Sequence, residues 1–352
     1  MVDNFLGTRV LVVGGAGFVG SNLVHQILEQ NPREIIVVDN LLSSDVSNIP
    51  TDSRVRFVFG SITDDQILRN LPDDLDYAFH LACYHGNQSS IANPLADHDN
   101  NTFTTLKLFE RLKDIKSLKK VVYAAAACAV AEKTYANPTA TTEDQAVTLY
   151  HDSPYSISKI IGELYGNYYF ERHQLPFVKA RFSNVYGPRE ILGAGHWRGT
   201  MHTVWRNVTP TFIWRSLNSG ALPLDNGGNA SRDFIFVEDM ARGLMACALK
   251  GTEGGIYNLA TGQETTILEL ATLINEFTGN QTPLDLKPAR DWDRSGKRFA
   301  STEKSERELG FKSQVDIREG IRRTVDWTKQ NSNLIRTSIA KHDKLMSQVL
   351  SK

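Results

Sequence analysis

A short apolar strand that breaks at once into a spaced set of glycines constrains this chain more than anything else in it. The strand is Arg9–Val13. The turn that follows reads Gly14-Gly15-Ala16-Gly17-Phe18-Val19-Gly20. Glycine permits the tight turn, lets a backbone approach a ligand closely, and lets the next helix pack on the strand. The free N–H groups at that helix start favour negative charge, so Gly14, Gly17, Phe18, Val19 and Gly20 are candidates to cradle a pyrophosphate. Helical spacing runs through Val19, Leu23 and Ile27 to about Glu29, and Asn31-Pro32 stops it.

The pattern then repeats. Glu34–Val38 reads as a second strand ending at Asp39, which lies 19 residues after Gly20. A carboxylate there suits the hydroxyls of an adenosine ribose and repels a 2′-phosphate, so NAD is expected rather than NADP. Val55–Phe59, Tyr77–Leu81 and Lys120–Tyr123 are further strand candidates, with helical stretches near Asp64–Arg69 and Asn101–Leu112 between them. Strands alternating with helices predict an α/β fold, a doubly wound parallel (Rossmann) sheet. The expected division is an NAD-binding domain over 1–187 plus about 235–262, and a smaller C-terminal substrate-binding region over 188–234 plus about 263–330. A helical tail over 331–352 is expected to pack on its own chain or on a partner subunit.

Bulk properties exclude several classes. The net charge is −1, so no basic field points to nucleic acid. Three cysteines, Cys83, Cys128 and Cys247, are too few and too scattered for a disulfide framework or a zinc site, and a reducing cytoplasm fits them. The nine histidines form no metal-ligand pattern, so no metal is expected. No signal-peptide core and no stretch of 18 apolar residues occurs, so no membrane span is expected.

Redox chemistry is suggested by Ser153-Pro154-Tyr155-Ser156-Ile157-Ser158-Lys159. Ser153 suits an N-cap and Pro154 the first helical position, so a helix should start at Tyr155. Lys159 then lies one turn along the same face. Tyrosine titrates near about 10, so a tyrosine base near pH 7 needs roughly 4 kcal/mol of electrostatic help. An adjacent ammonium supplies help of that sign. Alone, such a pair on a helix means little; after a dinucleotide turn it means more.

At this point the chain resembles the extended short-chain dehydrogenase/reductase family, in particular its nucleotide-sugar epimerases and dehydratases. The likeness runs from about residue 8 to 330. Phe79-His80-Leu81-Ala82 is similar to the segment under the cofactor, and Asn101 to a supporting asparagine. Arg181-Phe182-Ser183-Asn184-Val185-Tyr186-Gly187-Pro188 resembles the approach to the substrate site, and Asn229-Ala230-Ser231-Arg232-Asp233-Phe234 the segment whose arginine clamps a diphosphate. The resemblance implies that Asp39, Asn40, Ser61, Ile62, Leu81, Ala82, Asn101 and Ala124 hold NAD, with Tyr155 and Lys159. Tyr84, Asn87, Ala126, Asn184, Arg189, Arg198, Val208, Thr209, Arg232 and Arg290 would hold a nucleotide sugar, most simply a UDP-sugar. It also implies the chemistry: Tyr155 as phenolate takes a hydroxyl proton, hydride passes to NAD, the keto-sugar turns over, and hydride returns to its other face. Two helices, 101–113 and Tyr155 to about Arg172, resemble a dimer interface, so a homodimer is expected.

The chain also departs from the family. The strand after Val121-Val122-Tyr123 usually carries a Ser or Thr that hydrogen-bonds the reacting hydroxyl; here Ala126 occupies that place. Three readings stay open: Tyr155 works alone, a neighbour such as Cys128, Ser89 or Ser90 substitutes, or the chain binds without turnover. Ala127 and Cys128 stand where dehydratases place an acid, which disfavours elimination. Ser61 replaces a more usual aspartate at the adenine. Residues 189–207 form an enlarged insertion with Arg189, Arg198 and Arg206, plus His196, Trp197 and Trp205, read either as a pocket for a carboxylate-bearing sugar or as a self-paired surface loop. Tyr84, His85 and Asn87 are placed to face that sugar. The expected function is NAD-dependent epimerisation, at C4, of a UDP-linked uronic acid or acetamido sugar.

Overall fold

The structure, a computed structural model, describes residues 4–131, 134–289 and 296–350. Its centre is a seven-stranded parallel sheet. We label six of its strands β1 (Arg9–Val13), β2 (Glu34–Asp39), β3 (Val55–Phe59), β4 (Tyr77–His80), β5 (Lys120–Ala126) and β6 (Phe177–Phe182); Ile256–Leu259 completes it. The spatial order is Ile256–Leu259, β6, β5, β4, β1, β2, β3. The order reverses between β1 and β4, and a parallel sheet opens its ligand crevice at such a point, beyond the strand C-termini.

Burial explains the apolar runs. Val10, Leu11 and Val12 of β1 and Ile35, Ile36 and Val37 of β2 are fully buried. Their alternate side chains feed two cores, one on each face of the sheet. Burying each such side chain contributes about 1.5–3 kcal/mol. β5 runs three residues past its expected end, to Ala126, because Ala124, Ala125 and Ala126 pair with Ala180, Arg181 and Phe182 of β6. The first helix, Phe18–Leu28, packs beside the helix Val237–Lys250.

A third core lies away from the sheet, around Phe212, Ile213, Leu224, Phe234, Leu270, Ile274 and Ile321. It joins the helices Val208–Leu217, Ile267–Thr278 and Ile317–Gln330. The tail forms two helices, Ser332–Ala340 and Asp343–Leu350. The first packs on its own chain: Ile335 and Ile339 lie against Ile191, Leu192, Ala194 and Trp205 of the insertion. His342 adds a ring hydrogen bond of 2.9 Å to the Gly193 carbonyl. No described helix is long and apolar enough to cross a membrane.

Candidate active site

A cleft of about 840 Å³ lies at the crevice, lined by the ends of β1, β2, β4 and β5, by the insertion and by the third-core region. Its cofactor end is built from backbone. Gly14 has φ +86°, and a Cβ there would lie 2.5 Å from the Ala82 amide nitrogen. A side chain at Gly20 would strike the Gly14 carbonyl. No side chain caps the helix that begins at Phe18, so its first N–H groups stay available to an anion.

Asp39 ends β2 and lines the same cleft. Its Oδ2 accepts from Ala16 N–H at 3.0 Å, and its Oδ1 from Leu41 N–H at 2.9 Å and the Ser44 hydroxyl at 2.8 Å. Burial pushes the carboxyl up and these hydrogen bonds pull against it. Phe18, Val19, Asn40, Ser61, Ile62, Leu81, Ala82 and Ala124 line the cleft too. This surface fits NAD: an open helix N-terminus, glycines where a Cβ would collide, and a carboxylate at the second strand.

Tyr155 and Lys159 sit on the helix Pro154–His173. Ser153 caps it, accepting from Ser156 N–H at 3.3 Å, and Ser90 Oγ accepts the Tyr155 N–H at 3.1 Å. Both side chains are buried and both line the cleft. Lys159 Nζ donates to the Ala124 carbonyl at 2.8 Å and lies 5.8 Å from the Tyr155 ring centroid. The ammonium is thereby fixed at the end of β5, beside the tyrosine. Ala126 lines the cleft at the same strand end and offers only a methyl. Ser90 is fully buried and donates its own hydroxyl to the Asn87 carbonyl at 2.7 Å, while Ser89 reaches the cleft.

The structure brings most of the expected substrate residues together. Asn87, Asn184, Arg189, Arg198, Val208 and Arg232 line the cleft. Tyr84, Asn101 and Thr209 do not: each is buried at the wall behind it. Asn101 holds the Tyr84 N–H at 2.7 Å and reaches Ser158 Oγ at 3.2 Å, so it props the cleft without facing it. Arg290 and the Cys128 side chain lie outside the described residues.

Arg198 and Arg206 of the insertion are occupied by backbone carbonyls. Arg206 donates to the carbonyls of Thr203, Ser43 and Ala194. Arg198 donates to those of His85, at 3.2 Å, and His202, at 3.3 Å, and stacks over Tyr84. Its buried Nε has no protein partner among the described residues. Arg189 donates to Asn22 of the first helix at 3.0 Å, so it stands near the cofactor end.

Sequence reasoning passed over Glu190, Asn207 and Arg298, which also line the cleft. Glu190 is buried, with Oε1 accepting from Asn207 Nδ2 and Oε2 without a partner among the described residues. Burial pushes its carboxyl up to about 7, against Asn207, His85 and Arg206. The available signal was one acid within an otherwise basic and aromatic loop. A carboxylate is therefore present in the cleft, although not at Ala127, where it was sought.

Comparison with known proteins places this geometry. The profile of the NAD dependent epimerase/dehydratase family matches residues 10–260. Over 330 residues the chain is 29% identical to a UDP-glucose 4-epimerase of Mycolicibacterium smegmatis, covering 92% of this chain and 99% of that protein. The Bordetella bronchiseptica enzyme WbmF, crystallised with NAD+ and UDP, is 58% identical with a TM-score of 0.89, over 98% of this chain and 99% of that one. A UDP-N-acetylglucosamine 4-epimerase from Methanobrevibacter ruminantium, in complex with UDP-N-acetylmuramic acid, is 28% identical with a TM-score of 0.81, over 93% and 99%. With the glycine turn, Asp39 and the Tyr155–Lys159 pair all on one cleft, the chain belongs to the NAD-dependent epimerase/dehydratase family, as an enzyme of the epimerase type.

Proposed function

We propose that this enzyme epimerises a UDP-linked sugar at C4, a uronic acid or an acetamido sugar, through a transient ketone. The observation that carries the reading is the buried Tyr155–Lys159 pair at the end of β5, next to Ala126 and Ala127 rather than an acid. The WbmF complex with NAD+ and UDP supports the nucleotide, and the Methanobrevibacter epimerase supports an acetamido sugar.

When bound, NAD supplies the acceptor and donor of the hydride. The chain's residues do the rest. Lys159, held by the Ala124 carbonyl, keeps a positive charge beside Tyr155 and favours the phenolate. Tyr155 takes the hydroxyl proton and later returns it. Arg232 and the helix start at Val208 are the diphosphate contacts, and Arg198 is the cation that favours a carboxylate-bearing sugar. Glu190 binds Asn207 through Oε1, and Ala127 stands where the resemblance places the acid of an elimination.

Anomeric NMR of the purified enzyme with UDP-glucuronate and UDP-N-acetylglucosamine tests this. A new C4 isomer without added cofactor supports it. Net NADH release indicates an oxidoreductase, and no product despite tight binding leaves a binding protein, the reading that Ala126 keeps open. The exposed side chains of Leu95, Phe103, Ile157, Leu164 and Tyr168 favour a homodimer through the Pro154–His173 helix. A monomer mass by light scattering at micromolar concentration would sink that part.

A further inference from the structure

The wall behind Tyr155 holds a carboxylate that the chemistry above does not use. Asp97 is 1% exposed. It ends the short helix Pro94–Asp97, which runs on through a π-helical stretch, His98–Phe103, into the helix Thr104–Leu112. Single π turns within α-helices recur at functional sites. This run packs against the helix that carries Tyr155 and Lys159. Asp97 Oδ1 accepts from Asn101 Nδ2 at 2.8 Å, and Asp97 makes no ion pair among the described residues. Burying a carboxylate without an ion pair is costly, so stability alone does not account for it.

The Asn101 amide links this carboxylate to the site. Its Oδ1 accepts the Tyr84 N–H at 2.7 Å, and its Nδ2 reaches Ser158 Oγ at 3.2 Å as well as Asp97. A backbone N–H only donates and a carboxylate oxygen only accepts, so the amide has one orientation. Ser158 Oγ in turn donates to the Tyr155 carbonyl at 3.0 Å, and Ser90 Oγ takes the Tyr155 N–H at 3.1 Å. Both backbone polar groups of Tyr155 are thus held by buried side chains. On the other side, the Tyr84 ring carries the Arg198 guanidinium 5.4 Å from its centroid. Asn101 therefore stands between Tyr155 and the substrate wall under Arg198.

We propose that Asp97 is a positioning residue, whose carboxylate locks the Asn101 amide and so fixes Tyr155 relative to the substrate wall. Asp97, Asn101 and Ser158 form the bracket, and none of the three lines the cleft. They act through Tyr155 and Tyr84. Ala126 offers no hydroxyl to orient the sugar, so turnover depends the more on where Tyr155 itself stands. That the bracket serves the C4 reaction rests on the epimerase reading; the bracket itself does not.

Two readouts on the full-length enzyme test this: hydrogen exchange resolved by segment, and turnover of UDP-glucuronate and UDP-N-acetylglucosamine per bound NAD. In Asp97→Ala, exchange at residues 82–86 should quicken roughly tenfold while the helix Phe18–Leu28 is unmoved. Its kcat per bound NAD should fall roughly 10–100-fold, as a small misplacement of a reacting group does. Asp97→Asn keeps an oxygen for the Asn101 N–H and should recover most of both losses. If Asp97→Ala fails to retain NAD, Ser158→Ala carries the test from the far end of the bracket: kcat should fall with exchange at 82–86 unchanged. Unaltered exchange in Asp97→Ala, or an Asn variant as impaired as the Ala variant, overturns the bracket. Faster exchange with an unaltered kcat overturns its role in turnover. A wild-type enzyme that converts neither sugar overturns the epimerase reading, and the bracket is then judged by exchange alone.

Discussion

The glycine turn at residues 14–20 and the insertion at residues 189–207 line one cleft, but they are held in different ways. The turn is positioned by the sheet that carries it: β1 feeds it, the Phe18–Leu28 helix leaves it, and Gly14 N–H bonds the Val38 carbonyl of β2 at 2.8 Å. The insertion is held by distant chain. Gly193 is gripped by His342, Arg206 by Ser43, and Ile191 and Leu192 by Ile335. A turn built on the central sheet stays similar across a family, whereas an insertion held by other loops and the tail can be rebuilt.

The largest expected effect separates chemistry from both regions. Tyr155→Phe should lower turnover by about 10²–10⁴-fold, as removal of a general acid–base group does. NAD should stay bound and the thermal midpoint should hold, because phenylalanine keeps the ring that packs with Ala126 and Ala129. Turnover within tenfold of wild type, followed by NMR, would remove Tyr155 from the mechanism.

Two glycines set the regions against each other directly. Gly14→Ala meets a positive φ and the Ala82 backbone at once. It should cost on the order of 3 kcal/mol and abolish cofactor retention. Gly199→Ala meets φ +85° but nothing within 4 Å, so about 1–2 kcal/mol is expected, with NAD retained. Denaturant midpoints and the NAD released from each purified variant read this. Equal losses would erase the contrast.

Ile335→Ala reaches the insertion from the tail. Ile335 is buried against Ile191 and Leu192, so a loss of about 2–5 kcal/mol in tail packing is expected. KM for the nucleotide sugar should rise while NAD retention stays unchanged. A matching loss of NAD would show that the two ends of the cleft are one cooperative unit.

The same contrast decides what the sequence disclosed. Period and turn residues revealed β1, β2, the Asp39 position and the Ser153-capped helix, because the apolar runs, the glycine turn and the cap are each written within a few residues. The alanine run hid the true end of β5, whose last residues are set by pairing with β6. Three arginines in the insertion left an anion pocket and a self-paired loop both open, and Arg206 is filled by carbonyls from residues 43 and 194 as well as 203. No local pattern reveals such partners. Glu190 was invisible for the same reason: its importance comes from Asn207, which lies 17 residues away and carries its link to His85.

Acid and alkali should weaken the two regions in opposite senses. Near the cofactor end, burial and Lys159 bring His80 down to about 3, and burial and Arg189 bring His25 down to about 4. A depressed histidine lends its stability above about 6.5 and loses it as pH falls toward those values. In the insertion, Glu190 is raised to about 7. A raised carboxyl lends its stability below about 4.5 and loses it as pH rises through about 7. Glu190→Gln, which keeps the shape of the neutral acid, should therefore stabilise the enzyme at pH 8, by at most about 3 kcal/mol, and change little at pH 4.5. Hydrogen exchange resolved by segment should place the gain at residues 189–207 and leave 9–39 unmoved. His85→Asn sharpens the point: the His85 ring is one of the groups holding Glu190 down, so its removal should deepen the alkaline loss, whereas a profile indifferent to His85 would break the link that Asn207 makes between that ring and the insertion.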